Sequence, residues 1–402
     1  MKILFFTQYF WPENFRINEL VSYFSKKKSN KNIVLTGYPS YPKKKLFKYQ
    51  NYIKYPDTLK NAEIIRFSVL RRDGTNLSII LNYFTFFLSS FFFGIIKILK
   101  KKFDIIFVFC PSPILNAIPA IFIKKILKKK IIIWVLDLWP NTLVDLNIVK
   151  NKRVQKLLEF IVKYIYDNSD LILAQSQSIK KEIEKKTKVK CLYFPSWPEE
   201  IGNDKTVIKD IKQIKKNKIK ILFAGNIGEA QSFETLIKCA KSLKSLKIVK
   251  WIIVGEGRYK NNLIKLIKMN KLENDVSLLK SVPLTRIKAY YNSVDVLYLS
   301  LKNNNTFNKT IPGKLQTYMS SNKPIIASIS GETSKIISKS KCGFVSKAED
   351  YKSLKENIIK FYKLKKKDRQ KLANNGKKFC EKHFSKKIIL NRLKKDINSI
   401  LT

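Results

Sequence analysis

The chain has 402 residues, which at about 150 residues per domain allows between two and three domains. Hydrophobic residues make up 45%, enough for each domain to bury an ordinary core, so a disordered or fibrous protein is excluded. Lys and Arg total 80 against 30 Asp and Glu, a formal net charge of +50 that attracts nucleic acid, anionic lipid or phosphorylated ligands.

Only 9 of the 80 basic residues are Arg, whereas surfaces that read bases lean on the bidentate Arg fork. With no helix-turn-helix, zinc-finger or RNP pattern either, no nucleic-acid partner is expected. The opening run MKILFF is too short for a signal peptide. Apolar runs at Lys2–Phe6, Asn32–Thr36, Glu63–Val69, Asp104–Phe109, Lys130–Leu136, Leu171–Ala174 and Cys191–Phe194 alternate with helical stretches such as Asn14–Lys28 and Val154–Tyr166. That alternation predicts βαβ crossovers and a parallel sheet covered on both faces.

Leu77 to Ile96 is a run of 20 residues without a charge, long enough to span a bilayer. Ser78, Asn82, Thr85 and Ser89 recur on it at helical spacing, and a single span would put the flanking strands on opposite sides of the membrane. We read it as a buried or membrane-surface helix.

Phe194–Lys205 breaks the alternation with prolines and polar residues, and the charged stretch Lys209–Lys218 reads as a linker or an exposed helix. A second alternating series starts at Lys220 (ILFAG, WIIVGEG, VSLLK, VDVLYLSL, PIIASI, GFV), and after Glu349 the chain reads as helix to Thr402. The predicted class is α/β, with two doubly wound domains at 1–200 and 201–385 and a helical tail at 386–402. Ligands in such sheets bind beyond the carboxyl ends of the strands, here in the cleft between the domains.

Five scattered cysteines without a CxxC pair point away from a disulfide framework and a thiolate zinc site. The single histidine, His383, sits in the Lys-rich tail, away from any plausible catalytic position.

Several strand ends could carry chemistry. Gly225-Asn226-Ile227-Gly228 follows the first strand of the second series and precedes a helix near Ser232. Its bare amides suit a phosphate, or else it is a turn that needs glycine. Gly255-Glu256-Gly257-Arg258 follows the next strand, without a GxGxxG dinucleotide fingerprint at either position. Phe307 to Met319 joins Thr310, Pro312 and Gly313 to a helix with Lys314 in its first turn. A hydroxyl, backbone N–H groups and one ammonium would then point at a diphosphate, the alternative being a capped helix start with a solvated lysine.

In the first half, Arg16 follows the first strand in WPENFR, as a ligand for an anion or as an ion-pair partner of Glu13 or Glu19. In WVLDLWP, Asp137 could bind sugar hydroxyls, act as an acid or base, or cap a helix, and Trp139 could stack on a sugar face.

Together these segments resemble the retaining GT-B glycosyltransferases of family 4, in particular the WbuB/WcaI-like branch that builds O-antigen and exopolysaccharide units. The landmarks are QYFWPENFRINEL (Gln8–Leu20), DLWP (Asp137–Pro140), FPSWPEE (Phe194–Glu200), AGNIGEAQS (Ala224–Ser232), VGEG (Val254–Gly257) and FNKTIPGKLQTYMSSNKPIIASISGE (Phe307–Glu332). They cover essentially the whole chain in the family's order.

The resemblance implies two Rossmann-like domains facing across a cleft, a UDP-sugar donor held by the C-terminal domain and an acceptor in the N-terminal one. The final helix, Lys386–Leu401, is expected to cross back to the first domain. No metal or other cofactor is implied, because basic side chains and helix dipoles neutralise the diphosphate.

Carried over residue by residue, the donor site comprises Gly225, Asn226, Gly228, Gln231, Gly255, Gly257, Arg258, Asn308, Lys309, Thr310, Pro312, Gly313 and Gln316. Lys314, Arg16 and Asp137 take the catalytic roles. The sequence departs from the common pattern in three ways. Asn308 and Gln316 stand where many members carry a glutamate pair, Asn226 and Gln231 stand for the usual Arg and Lys of the phosphate clamp, and a common N-terminal-domain histidine is missing.

The branch implies transfer of an N-acetylated, often 6-deoxy hexosamine such as FucNAc to a polyprenyl-diphosphate-linked sugar. The expected location is the cytoplasmic face of the plasma membrane, held by its anionic surface. A sugar-nucleotide epimerase would share the architecture, but it would use carboxylate and histidine acid/base residues in the cleft, and His383 lies outside it.

Overall fold

The computed structural model describes residues 1–402 apart from 27–30, 41–54, 73–74, 146–147, 203, 205 and 216. Two compact units result, one of Met1–Pro195 with Ile389–Thr402 and one of Ser196–Ile388. The first division falls just ahead of the 200/201 boundary read from the sequence. Glu199 accounts for this, because its backbone N–H donates to Thr317 Oγ1 of the second unit at 3.0 Å.

The first unit runs β1 (Ile3–Thr7), α1 (Arg16–Phe24), β2 (Asn32–Gly37), β3 (Ala62–Phe67), α2 (Asn76–Ser89), α3 (Ile95–Leu99), β4 (Ile105–Cys110), α4 (Ile118–Leu127), β5 (Lys130–Val135), α5 (Lys152–Asp167), β6 (Leu171–Ala174), α6 (Gln177–Glu184) and β7 (Cys191–Tyr193). All seven strands pair in parallel, in the order β3-β2-β1-β4-β5-β6-β7. β1, β2 and β4 are buried along their whole length, and this double coverage explains their continuous apolar composition. Of the stretch predicted helical over Asn14–Lys28, Arg16–Phe24 is α1, and residues 27 and 28 lie outside the described residues. Asn151 starts α5 by accepting from the N–H groups of Arg153 and Val154, and Ser176 starts α6 by accepting from Ile179.

Leu77–Leu99 forms one apolar helix of 23 residues, with a π-helical turn at Ser90–Gly94 joining α2 to α3. Its inner face is part of the first unit. Asn82 is fully buried, its Oδ1 accepting from Gln8 Nε2 (2.9 Å) and Arg72 Nε (3.0 Å) and its Nδ2 donating to Ser40 Oγ (3.1 Å).

The second unit runs β8 (Ile219–Ala224), α7 (Phe233–Leu243), β9 (Val249–Val254), α8 (Lys260–Met269), β10 (Val276–Leu279), α9 (Leu284–Ser293), β11 (Val296–Ser300), α10 (Lys314–Ser320), β12 (Ile325–Ser328), α11 (Glu332–Ser340), β13 (Gly343–Ser346), α12 (Tyr351–Lys363) and α13 (Lys366–His383). Its six parallel strands are ordered β10-β9-β8-β11-β12-β13. The last helix, α14 (Lys386–Leu401), begins in this unit and belongs to the first from Ile389 onward. Among the described residues of the charged stretch Lys209–Lys218, only Lys209–Lys212 is helical.

In the second sheet the winding reverses between the neighbours β8 and β11. The chain leaves β8 toward β9 and leaves β11 toward β12, so the loops after β8 and β11 part at their carboxyl ends. A crevice at such a switch point is where doubly wound sheets hold ligands.

Candidate active site

Three loops of the second unit meet at this switch point. Gly225, at φ +135°, ends β8 and donates its N–H to Val254 O at 2.9 Å. The loop after β8 and the loop after β9 interlock: Ile227 N–H donates to Glu256 O at 2.8 Å, and Tyr259 N–H to Ile227 O at 3.0 Å. A Cβ on Gly257 would meet Ile227 O at 2.2 Å, so this closeness requires glycine there. The third segment, after β11, is a short helix at Asn305–Lys309 followed by the loop Thr310–Gly313, which enters α10 at Lys314.

Lys314 ties the arrangement together. Its Nζ lies 3.8 Å from the centre of the Phe223 ring and donates to Gln231 Oε1 at 3.1 Å. Its Cε passes so close to Gly225 that a Cβ there would stand 2.6 Å away. The root of α10 is fixed to β8, since Tyr318 Oη accepts from Ala224 N–H at 3.0 Å. Burial pushes the Lys314 ammonium down to about 7, and Glu199 offsets this in part.

Gly225, Asn226, Gly228, Gln231, Gly255, Gly257 and Lys314 are thus assembled around one point. Arg258 and Asn226 are exposed at its rim. Thr310 uses its hydroxyl internally, donating to Thr306 O at 2.9 Å, while its own carbonyl accepts from Thr333 Oγ1 at 3.0 Å. Asn308 donates to Asn303 Oδ1 at 3.0 Å, Lys309 and Pro312 are half-buried, and Gly313 faces open space. Gln316 is buried under the loop, its amide against the carbonyls of Pro312 and Gly313. It therefore supports the loop from beneath.

Arg16 and Asp137 belong to the first unit. Arg16 opens α1, with Nη1 3.5 Å from Glu19 Oε1. Glu13, the other partner weighed from the sequence, is buried and accepts from the N–H groups of Phe10 (3.2 Å) and Ser40 (2.8 Å). Asp137 sits just past β5, where burial pushes its carboxyl up to about 7. Trp139 is not available to stack on a sugar. It lies in the core of the first unit and donates its indole N–H to Ser112 Oγ at 3.2 Å.

Sequence reasoning missed Phe223, the ring against the Lys314 ammonium, and Glu199, which favours its charged form. It also missed the polar group around Arg72, whose guanidinium lies over Tyr9 and Tyr83 at 5.3 and 4.9 Å. Phe223 sits within a strand that reads as ordinary core, and no local signal marks it. The rarity of Arg in this chain could have flagged Arg72.

Two parallel doubly wound units, with glycine loops and a buried ammonium at the switch point of the second, define a two-domain GT-B architecture. Residues 204–379 match the family Glycosyl transferases group 1. An uncharacterized glycosyltransferase of Methanocaldococcus jannaschii is 29% identical over 201 residues, covering 46% of this chain and 48% of that protein. Escherichia coli WcaI, provisionally named a colanic acid biosynthesis glycosyl transferase, is 25% identical over 182 residues, covering 41% of this chain and 44% of that protein. The match thus spans about half the length of these curated relatives. Among solved structures, HepE of Anabaena in complex with UDP superposes with a TM-score of 0.68 at 14% identity, covering 99% of this chain and 100% of that one. The structural likeness shows the fold, and the group 1 family match lies within the second unit, at residues 204–379.

Proposed function

We propose that the protein is a retaining glycosyltransferase that moves a sugar from a UDP-sugar to a polyprenyl-diphosphate-linked glycan. It would work at the cytoplasmic face of the plasma membrane, in assembly of a surface polysaccharide such as O-antigen or exopolysaccharide. The donor class we favour is an N-acetylated hexosamine such as FucNAc. The observation that carries the reading is the Lys314 ammonium, laid across Gly225 between the loops after β8, β9 and β11. That placement supplies one positive charge and nearby backbone amides to a diphosphate, in a domain of the group 1 family. The UDP bound by HepE and the name given to WcaI support the donor and pathway class.

In the proposed step the bond between the sugar C1 and the diphosphate oxygen breaks as the acceptor oxygen attacks from the same face. The departing diphosphate oxygen takes the acceptor proton. The protein's part is to stabilise the negative charge on the leaving nucleotide and to hold both sugars in register. Lys314→Ala is expected to cut turnover at least tenfold while leaving the unfolding midpoint in place. Wild-type turnover in that variant, measured as UDP release with a lipid-linked acceptor, would overturn the assignment. Thermal shift against UDP, GDP and ADP tests the nucleotide, with a rise expected for UDP alone.

A further inference from the structure

We infer that the outer surface of α2–α3, α4 and α5 is a monotopic docking face for an anionic lipid bilayer, entered from one side and not spanned. A helix that packs on a sheet of a water-soluble protein normally turns its apolar face inward and its polar face to solvent. Leu77–Leu99 is apolar on both sides: it buries Phe86, Ile95 and Ile98 in the core and still turns further large apolar residues to solvent. The inward face also carries the buried polar residues Asn82 and Ser90, whereas Leu77, Ile80 and Phe84, spaced three and four apart, are 66%, 59% and 56% exposed. Beyond the π-helical turn Phe93 and Ile96 continue outward, at 62% and 68%.

The inner face is anchored. Asn82 is held by Gln8, Arg72 and Ser40, and a Cβ on Gly94 would stand 3.2 Å from Leu35 of β2. Such a helix covers the sheet and cannot leave it to cross a membrane without stranding those polar groups.

The same layer extends sideways. Phe91 packs edge-on against Phe122 of α4 with ring centres 4.7 Å apart, and Lys125 of α4 donates to Tyr164 of α5 at 3.0 Å. α4 and α5 add exposed apolar side chains of their own, Ile126 on the first and Leu157 and Phe160 on the second. Three adjoining helices that all turn large apolar residues outward make a surface, not a scatter of single exposures.

Charge selects the occupant. Exposed Lys100 and Lys102 follow the end of α3, and exposed Lys125 and Lys128 lie at the end of α4. The apolar face therefore has a cationic border at one end, as insertion among anionic headgroups requires. This inference extends the lipid-linked-acceptor reading to a surface of the first unit, while nucleotide binding by the second unit provides a separate readout.

The test uses the full chain and flotation with vesicles of phosphatidylglycerol and phosphatidylcholine, or of phosphatidylcholine alone. Binding at least tenfold stronger to the anionic vesicles is expected. Phe84→Glu with Phe93→Glu, and separately Leu157→Glu with Phe160→Glu, should each lower it at least tenfold with an unchanged response to UDP. Lys100→Glu with Lys102→Glu and Lys128→Glu should abolish the preference for anionic lipid. Wild-type binding in both apolar pairs would overturn the proposal. So would a dimer in lipid-free buffer that Phe160→Glu converts to monomer, because a second copy would then own the face.

Should an apolar pair fail to fold, a Phe84→Cys variant carries the test, since all five native cysteines are buried. An environment-sensitive dye on it should shift to the blue on anionic vesicles, and an unchanged spectrum overturns the inference. Loss of the UDP response with lipid binding intact would instead count against the transferase reading alone.

Discussion

Burial lowers the affinity of Lys314 for its proton, to a pKa of about 7, with Glu199 offsetting part of the shift. A diphosphate placed beside it would reverse this, because an adjacent anion favours the charged ammonium. Nucleotide binding by this site is therefore expected to take up a proton, and the sign follows. Below about pH 7 the ammonium is already charged and no longer contributes a slope. Above it, binding must first protonate the lysine, so UDP affinity should fall by up to about tenfold per pH unit until the pKa of the complex is reached. The terminal phosphate of UDP, with its pKa of about 6, is ionised throughout that range and does not mask the effect. Calorimetric titration between pH 7 and 9 measures the slope, and Lys314→Arg, whose charge does not titrate, should remove it. A slope unchanged in Lys314→Arg would mean that some other group carries the proton. The lysine and the glycines around it were legible in the sequence as a loop that could hold phosphate. The lowered pKa was not, since it depends on how deeply the folded chain buries the ammonium, with Glu199 offsetting part of the shift.

At the scale of the element, α2 shows what a periodic pattern can and cannot convey. Ser78, Asn82 and Thr85 at helical spacing marked a polar stripe, and the structure uses it. Asn82 is buried among Gln8, Arg72 and Ser40, and Thr85 Oγ1 accepts from Leu70 N–H at 3.0 Å while donating to Leu81 O at 2.8 Å. The partners were not legible, because residues 8, 40 and 72 come together only through the β3-β2-β1-β4 order. Nor was the turn of the stripe: the π-helical segment puts Ser90, not Ser89, in the interior. Asn82→Ala removes an acceptor shared by two buried donors, one of them the Arg72 guanidinium. Leaving buried donors short of an acceptor costs about 1–3 kcal/mol. Chemical denaturation of the first unit, followed by tryptophan fluorescence, should show a loss of that order, with UDP binding by the second unit retained. Leu81→Asn, on the solvent side of the same helix, should stay within about 0.5 kcal/mol of wild type.

At the scale of the whole molecule, the alternation of apolar runs and helices located the strands because parallel sheets bury both faces and leave continuous Ile/Val/Leu runs. The tail was legible in the same way as a helix, with Ile389, Leu390, Leu393 and Ile397 on one side, and all four are buried. Its destination was not written in that pattern and rested on family resemblance. In the structure Ile389–Thr402 is part of the first unit, where Tyr23 Oη donates to Asn391 Oδ1 and Arg392 Nη2 donates to Tyr193 O. The chain thus completes its first unit with its last residues, and deletion of 389–402 should act on the unit most distant in sequence. Four buried aliphatic side chains at about 1.5–3 kcal/mol each set an upper bound of about 6–12 kcal/mol, comparable with the total stability of a domain. The first unit of the truncated protein is expected to be cut rapidly by protease. The donor loops at Gly225–Gln231, Gly255–Arg258 and Asn308–Lys314 contain none of the deleted residues, so the fragment 196–388 should survive and keep its thermal response to UDP. Retention of a protease-resistant first unit would show that the tail adds little to its core. Loss of the UDP response together with the first unit would show instead that the donor site needs the first unit to stay folded.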